Sequence, residues 1–202
     1  MTKKEKFKAK FKGLINKLYK NTRDVDTWTE IAFLFDEIYD NEERDIRVSE
    51  LLIDDFKKII PKDTIIWKKI LTIDKRNITA LEKIIEFYAD IHGDIDKAII
   101  YINQLDKIVK DNLVALRFKI IYHLEHEQIE KAKKIFINMI NLDVNNCLYY
   151  GVFDYFYEED MKLMKFLKPY ATKTIKCIDE KKNGFRYAYY KTLKSELLEL
   201  IK

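Results

Sequence analysis

The chain contains very little glycine or proline: its 202 residues include four glycines and two prolines. Both residue types interrupt helices and favour turns. Their scarcity, together with abundant lysine, glutamate, leucine and isoleucine, predicts nearly continuous helix with short connections. We therefore expect an all-α protein.

Residues that carry chemistry are also scarce. The two cysteines, Cys147 and Cys177, have neither the paired spacing of a zinc site nor the number needed for a disulfide framework. The two serines lie in helical stretches without a nearby histidine, and no glycine-rich loop follows a strand to cradle phosphate. We therefore expect no enzymatic activity and no cofactor.

One histidine cluster has some of the ligands that a metal ion needs. His123 and His126 lie on one helical face, with Glu125 and Glu127 beside them. The sequence fixes no third ligand, and the spacing is not that of a metalloprotease helix. Because His126 also repeats the position of His92, we expect a structural role near a turn and no metal site.

Long apolar runs are absent. No stretch reaches the roughly 18 apolar residues of a membrane-spanning helix. The lysine-rich N-terminal segment lacks the apolar middle of a secretory signal. We expect a cytoplasmic protein without a transmembrane segment.

Charge is unevenly distributed, although the net charge is only +4. Residues 1–20 carry +7 and residues 162–202 carry another +7, so residues 21–161 carry −10. Three hypotheses follow: the basic ends fold back on the acidic body, neighbouring molecules self-associate end to body, or the ends meet an anionic partner. Solvated helix faces without a special role explain the same pattern.

A 34-residue repeat is the most informative positive feature. Asn77, Asp111 and Asn145 are spaced by 34 residues, and each residue type suits a helix N-cap. Other side chains recur at the same interval: Tyr88 with Tyr122 and Phe156, Ala98 with Ala132, Ile102 with Phe136, and Leu105 with Met139. A period of about 34 predicts stacked helix-turn-helix units, each of which buries its apolar face against its neighbours.

The repeat divides the chain into four parts. Residues 1–22 are predicted to form a basic amphipathic helix, residues 23–76 a degenerate repeat region, residues 77–157 the regular repeats, and residues 158–202 basic capping helices.

Two local signals predict helix boundaries. Thr27, three residues before Glu30, predicts a capping box at the start of a helix. Pro169 predicts that a helix near the C-terminus ends there.

Two motifs in the repeat region carry a family resemblance. They are Trp28-x2-Ile31-Ala32-x2-Phe35 and Gly93-Asp94-Ile95-Asp96-Lys97-Ala98. Over residues 26–157 the chain resembles the tetratricopeptide repeat family, although the first helices of its regular units are one residue longer. The resemblance implies a right-handed α-solenoid of antiparallel helix pairs, whose first helices line a concave groove for peptides or partner helices.

The groove implied by the resemblance has an acidic and apolar lining. It lacks the basic and amide side chains with which one branch of the family clamps a C-terminal carboxylate. We therefore expect a scaffold or adaptor that binds another protein, through a basic or amphipathic helix, with the chain's own basic ends as one candidate ligand. The implied groove residues are Asp26, Thr29, Phe33, Asp36, Thr79, Glu82, Glu86, Leu116, Ile120, His123, Tyr150, Asp154 and Tyr157.

Non-specific binding of nucleic acid, chiefly RNA, through the basic ends is the alternative function. The N-terminal helix suits a cap packed on the first repeat, a nucleic-acid backbone or an anionic membrane surface, and the sequence leaves these open. The repeats are also similar to pentatricopeptide RNA-binding repeats, but Ile84 and Phe118 would stand at the base-reading positions and cannot read a base edge. The candidate anion-binding residues are Lys3, Lys4, Lys6, Lys8, Lys10, Lys12, Arg186 and Lys191.

Overall fold

The structure, a computed structural model, describes residues 3–40, 66–142, 161–180, 194–195 and 197–199. All regular structure in these ranges is helical, which confirms the all-α prediction for them. The elements are α1 (Lys3–Lys20), α2 (Val25–Asp40), α3 (Ile66–Ile73), α4 (Ile78–Glu86), the π-helical segment π1 (Phe87–Ile91), α5 (Ile95–Ile108), α6 (Leu113–Glu125), α7 (Ile129–Leu142) and α8 (Met161–Glu180). Within these ranges, no helix is both long and apolar enough to cross a membrane.

The chain forms two compact units, and the first is Met1–Ile84. In this unit α1 packs on α2, and α2 packs on α3. Each large apolar side chain that is fully buried contributes about 1.5–3 kcal/mol to stability. The buried side chains of the three helices include Phe11, Leu14, Ile15, Leu18, Trp28, Ile31, Ala32, Trp67 and Ile70.

The second unit is Ile85–Lys202. Here α5 packs on α6, α6 packs on α7, and π1 packs on α5. Its main apolar cluster joins α6 and α7 to α8 and to Leu197. The buried members of this cluster are Leu116, Ile120, Leu124, Ala132, Phe136, Met139, Ile140, Leu167, Ala171 and Leu197.

Side chains that are 34 residues apart occupy matching environments in the second unit. Ala98 and Ala132 are both fully buried, and so are Ile102 and Phe136. The turn before each of these helices repeats as well, because Gly93 and Glu127 both adopt a left-handed backbone, with φ of 61° and 56°. The sequence repeat is therefore also a repeat of backbone conformation and burial.

The two first helices of the repeat differ in length by one residue. Asn77 caps α4 by accepting from Ala80 N at 2.9 Å, but α6 is capped by Asn112, which accepts from Ala115 N at 3.0 Å. The prediction that Asp111 caps α6 was wrong: Asp111 has a left-handed backbone, with φ of 60°, and accepts a hydrogen bond from Asn138.

The extra residue of the first repeat lies in π1. Gly93 follows its cap by 16 residues, whereas Glu127 follows Asn112 by 15. A π-helical turn holds one residue more than an α-helical turn, since its hydrogen bonds join residues i and i+5. His92 N accordingly donates to Phe87 O at 3.1 Å. The repeat has an offset of 35 residues before π1 and of 34 after it.

The capping box predicted at Thr27 was wrong, because the helix begins earlier. Asp24 is the cap: its carboxylate accepts from Thr27 N at 3.2 Å and from the Thr27 hydroxyl at 2.6 Å. The turn before it is closed by Asn21, whose side chain accepts from Arg23 N. The same hydrogen bonds recur before α4, where Arg76 N donates to Asp74 and Ala80 N to Asn77.

The predicted helix end at Pro169 was also wrong. Pro169 lies inside α8, which continues to Glu180. Proline within a helix costs about 3 kcal/mol, because it removes one hydrogen bond and crowds the preceding turn. Here Leu167 and Ala171 are fully buried on either side of an exposed Pro169, so continuing the helix keeps their burial.

Gly93→Ala and Gly13→Ala should change stability in opposite directions. A Cβ would meet no atom within 4 Å at either position, but only Gly93 has a positive φ. We expect Gly93→Ala to lower the free energy of unfolding by about 1 kcal/mol, because alanine is strained there. Gly13→Ala should raise it by about 0.5–1 kcal/mol, because glycine weakens a helix interior. Urea denaturation followed by circular dichroism measures both, and changes of the same sign would contradict the assignment.

Asp24→Ala should lower the free energy of unfolding by about 1 kcal/mol at pH 7, because the cap of α2 is lost. Hydrogen bonds from Thr27 hold the pKa of Asp24 below its ordinary value of 3.8. The contribution of the carboxylate is therefore present above 3.8 and lost as the pH falls through the folded-state pKa. Urea denaturation at pH 7, 5 and 3 should show the difference between wild type and variant shrinking at pH 3.

The control is Asp24→Asn, which keeps an oxygen acceptor for Thr27 N but does not titrate in this range. Its free energy of unfolding should stay above that of Asp24→Ala by a constant amount from pH 7 to pH 3. A wild-type difference that does not change with pH would show that the charge of Asp24 has no part in the cap.

Candidate functional site

Three of the predicted groove residues share one face of α2. Asp26, Thr29 and Phe33 follow one another at spacings of three and four residues, which places them along one side of a helix. The opposite side is held in the core by Trp28 and Ile31, both fully buried. We call Asp26, Thr29 and Phe33 the α2 strip.

The α2 strip combines a charge, a partly satisfied hydroxyl and an aromatic ring. Asp26 is exposed at the N-terminal end of α2, where the helix dipole favours a negative charge. The Thr29 hydroxyl donates to Val25 O at 2.8 Å. Phe33 is 47% exposed, which is unusual for so large an apolar side chain. This arrangement offers an apolar contact about two helical turns from a carboxylate.

Phe33 is supported from below by a buried tryptophan. Its ring meets Trp67 of α3 edge to face, with the ring centroids 5.2 Å apart. Trp67 itself is 5% exposed. Such a contact contributes about 0.5–1.5 kcal/mol beyond burial and limits the orientations of the exposed ring. A ligand would therefore meet a preorganised aromatic surface.

The other predicted groove residues of α2 and α4 are partly described. Thr79 and Glu82, in the first unit, are half-buried, and so is Glu86, in the second. Asp36 lies in α2, but its side chain is outside the described residues. Tyr150, Asp154 and Tyr157 also lie outside the described residues.

Leu116 and Ile120 do not line a surface, and this part of the predicted groove needs correction. Both belong to the apolar cluster, where Ile120 is fully buried. The reason is the offset of 35 before π1, which makes them equivalent to Leu81 and Ile85, also fully buried. The prediction had applied an offset of 34 throughout, so it placed core positions in the groove.

The same offset identifies a residue that the sequence interpretation missed. Arg117, not Leu116, stands at the position equivalent to Glu82. It is half-buried, its guanidinium lies 4.9 Å above the Phe118 ring, and its Nη2 atom is 3.5 Å from Asp90 Oδ1. The cap at Asn112 was the only signal that could have revealed it, and Asp111 beside it is an equally good cap by residue type.

His123 and His126 take part in the end of α6. His123 Nδ1 donates to Gln128 Oε1 at 2.9 Å, and burial lowers the pKa of its imidazole. His126 stacks on Tyr122 with centroids 4.2 Å apart and donates from Nδ1 to the Tyr122 carbonyl. Among the described residues, no group of three or more histidine, cysteine or carboxylate side chains could hold a metal ion.

Acidic side chains of π1 and α5 form ion pairs with α6. These pairs neutralise part of the negative charge that the sequence assigns to the middle of the chain. Because they join neighbouring elements of one unit, they stabilise its packing and leave less charge for a ligand. The pairs are Asp90 with Arg117 at 3.5 Å, Asp106 with Lys119 at 2.6 Å, and Asp96 with His126 at 3.2 Å.

The lysines of the candidate anion-binding set lie on the outside of α1. Lys6, Lys8, Lys10 and Lys12 are all exposed, while the apolar face of the helix is buried in the first unit. Lys3 and Lys4 belong to α1, but their side chains are outside the described residues, as are Arg186 and Lys191 entirely.

The chain matches no protein-family model, no curated protein and no solved structure. Its function therefore has to be argued from its own residues.

Proposed function

We propose that the chain is a tetratricopeptide-like helical repeat protein, a right-handed solenoid of antiparallel helix pairs, that binds another protein and acts as an adaptor. The repeated left-handed turns at Gly93 and Glu127 and the matching burial of Ala98 and Ala132 support the repeat architecture. A repeat array offers an extended surface that holds a partner without chemistry of its own. The composition favours a cytoplasmic location for this adaptor.

The exposed ring of Phe33 is the observation that carries the binding proposal. Aromatic side chains that stand on a rigid support are typical anchors of protein interfaces. Phe33 has such a support in Trp67, with the ring centroids 5.2 Å apart. Covering the exposed part of the ring would contribute about 1 kcal/mol from the loss of apolar surface to water alone.

The charge beside Phe33 indicates the kind of partner. Asp26 is exposed and lies seven residues before Phe33 on the α2 strip, about 10 Å along the helix. An amphipathic helix that lies along α2 would place an apolar residue on Phe33 and a lysine or arginine near Asp26. This i, i+7 pattern is how a partner helix commonly presents its anchors. We therefore propose a basic amphipathic helix as the ligand.

Phe33→Ala should weaken capture of the partner by about 2 kcal/mol, roughly thirty-fold in Kd, if Phe33 is an anchor. The measurement is affinity capture from native lysate treated with nuclease, followed by mass spectrometry and quantification of the retained proteins. Wild type should retain a discrete protein that Phe33→Ala loses. Asp26→Lys should lose the same protein through charge reversal, without touching the core.

The matched control is Ile100→Ala, which removes another exposed apolar side chain, on α5 in the second unit. Its capture should equal that of wild type. Thermal unfolding of each variant checks that the fold is retained. Equal capture by wild type, Phe33→Ala and Asp26→Lys would refute the α2 strip as the binding surface.

A further inference from the structure

The outer face of α1 has a regular arrangement of side chains. At 3.6 residues per turn, Ala9, Gly13 and Asn16 fall on the side opposite the buried residues of α1. All three are exposed, and none carries a charge or a large side chain. We call these three residues the central strip of α1.

Lysines flank the central strip on both sides. The first row, at spacings of four and seven residues, is Lys6, Lys10 and Lys17, and the second row is Lys8, Lys12 and Tyr19. Lys20 continues the central strip at the C-terminal end of the helix. All six lysines are exposed, and Tyr19 is 54% exposed.

Most of this positive charge has no carboxylate partner in the part of the chain that the structure describes. Only Lys17 has one, Glu30, with 3.7 Å between Nζ and Oε1 and both side chains largely exposed. Glu5 is the one acidic residue of α1. The helix therefore presents a concentrated positive field to solvent, which attracts a polyanion.

The packing of α1 argues against insertion into a membrane. An amphipathic helix that binds a membrane surface buries its apolar face among the lipids. In α1 that face is already occupied, because Phe11, Leu14 and Leu18 are buried in the first unit. What remains accessible is lysine and small polar or uncharged surface, which can bind anions only by charge and hydrogen bonds.

The same surface is unlike the centre of a protein interface. Such centres are rich in aromatic and apolar side chains and depleted of lysine. The central strip has no apolar anchor larger than Ala9. A phosphate backbone needs no such anchor, because charge neutralisation and the release of counterions supply most of its binding free energy.

Gly13 adds an observation that internal packing does not explain. Glycine in a helix interior costs about 0.5–1 kcal/mol relative to alanine. A Cβ at Gly13 would meet nothing within 4 Å, so the fold itself has room for a side chain there. The missing side chain does keep the floor between the two lysine rows low, which allows a close approach of a ligand backbone.

We propose that a single-stranded nucleic acid binds along the outer face of α1, with its phosphates between the two lysine rows and a base on Tyr19. Exposed aromatic rings beside lysines are the usual platform for unpaired bases. The 18 residues of α1 span about 27 Å, the length of about eight stacked nucleotides. This binding is separate from the protein-binding surface proposed on α2.

The first test measures the affinity of the whole chain for a labelled 20-nucleotide oligo-U by fluorescence anisotropy between 50 and 300 mM salt. The test variant replaces Lys6, Lys8, Lys10 and Lys12 together by glutamine. Each single-strand phosphate contact contributes about 0.7 to the slope of log K against log salt. The slope should therefore fall by about 3, and affinity at 100 mM salt by about 100-fold or more.

The matched control replaces Lys107, Lys110, Lys134 and Lys165, four exposed lysines of the second unit, by glutamine. It makes the same change in net charge and should keep the slope of wild type and its affinity within about three-fold. Equal losses in the two quadruple variants would mean that only the net charge matters, and would overturn the assignment to α1.

Gly13→Leu tests the central strip without changing any charge. Leucine is a good helix former, so α1 should be retained, but its side chain would fill the floor between the lysine rows. We expect at least a ten-fold loss of oligo-U affinity, while Gly13→Ala should lose much less. An affinity equal to that of wild type in Gly13→Leu would show that the nucleic acid does not lie on this strip.

Two further probes distinguish other partners. Duplex RNA of 20 base pairs should bind more weakly than oligo-U, because paired bases cannot stack on Tyr19, and tighter duplex binding would overturn the single-strand assignment. Phosphatidylserine vesicles at 150 mM salt should not retain the protein, and retention without oligo-U binding would assign α1 to membranes instead. Phe33→Ala should leave oligo-U affinity unchanged, so the two proposals fail independently.

Discussion

The satisfaction of helix ends is the constraint on which this structure depends. Each helix begins with four N–H groups that have no partner within the helix, and a chain with four glycines and two prolines has few other means of making turns. Asp24, Asn77 and Asn112 each accept the backbone N–H three residues further on. These caps fix where α2, α4 and α6 begin, and therefore which side chains of each helix face the core. The α2 strip exists because the cap at Asp24 turns Trp28 and Ile31 inward.

The helix ends of the second unit follow the same logic with a different residue type at one position. Gly93 and Glu127 both close a first helix in the left-handed conformation, although only glycine adopts it without strain. At the second turn, Gln128 N donates to His123 O at 2.7 Å, and the Gln128 side chain accepts from His123 Nδ1 at 2.9 Å. These hydrogen bonds hold the turn in place of a glycine. His126, stacked on Tyr122, closes it from the other side.

The sequence was sufficient to predict the helical class and the periodicity, because both depend on averages over many residues. Ala98, Ala132, Ile102 and Phe136 are buried at matching positions, as the 34-residue interval implied. Local boundaries were harder to predict because neighbouring residues competed for one role. Asp24 took the cap expected at Thr27, and Asn112 the cap expected at Asp111.

The candidate site was harder to predict than the fold for the same reason. One residue of register decides whether a helical position faces the core or the solvent, since each residue rotates the helix by about 100°. Leu116 was assigned to the surface and is buried, whereas Arg117 beside it has a half-buried guanidinium. The exposure of Phe33 over Trp67 depends on α2 and α3, which are distant in sequence, so no local pattern indicated their contact.

The π-helical segment Phe87–Ile91 has a consequence for how a chain of this kind can change in length. An inserted residue in a continuous helix would rotate every later side chain and misalign the whole downstream core. Here the additional residue is absorbed within one wide turn, and α5 begins after Gly93 as α7 begins after Glu127. Insertions and deletions can thus accumulate at this point in a repeat while the neighbouring helices keep their faces, so two repeats of unequal length can share one pattern of core residues.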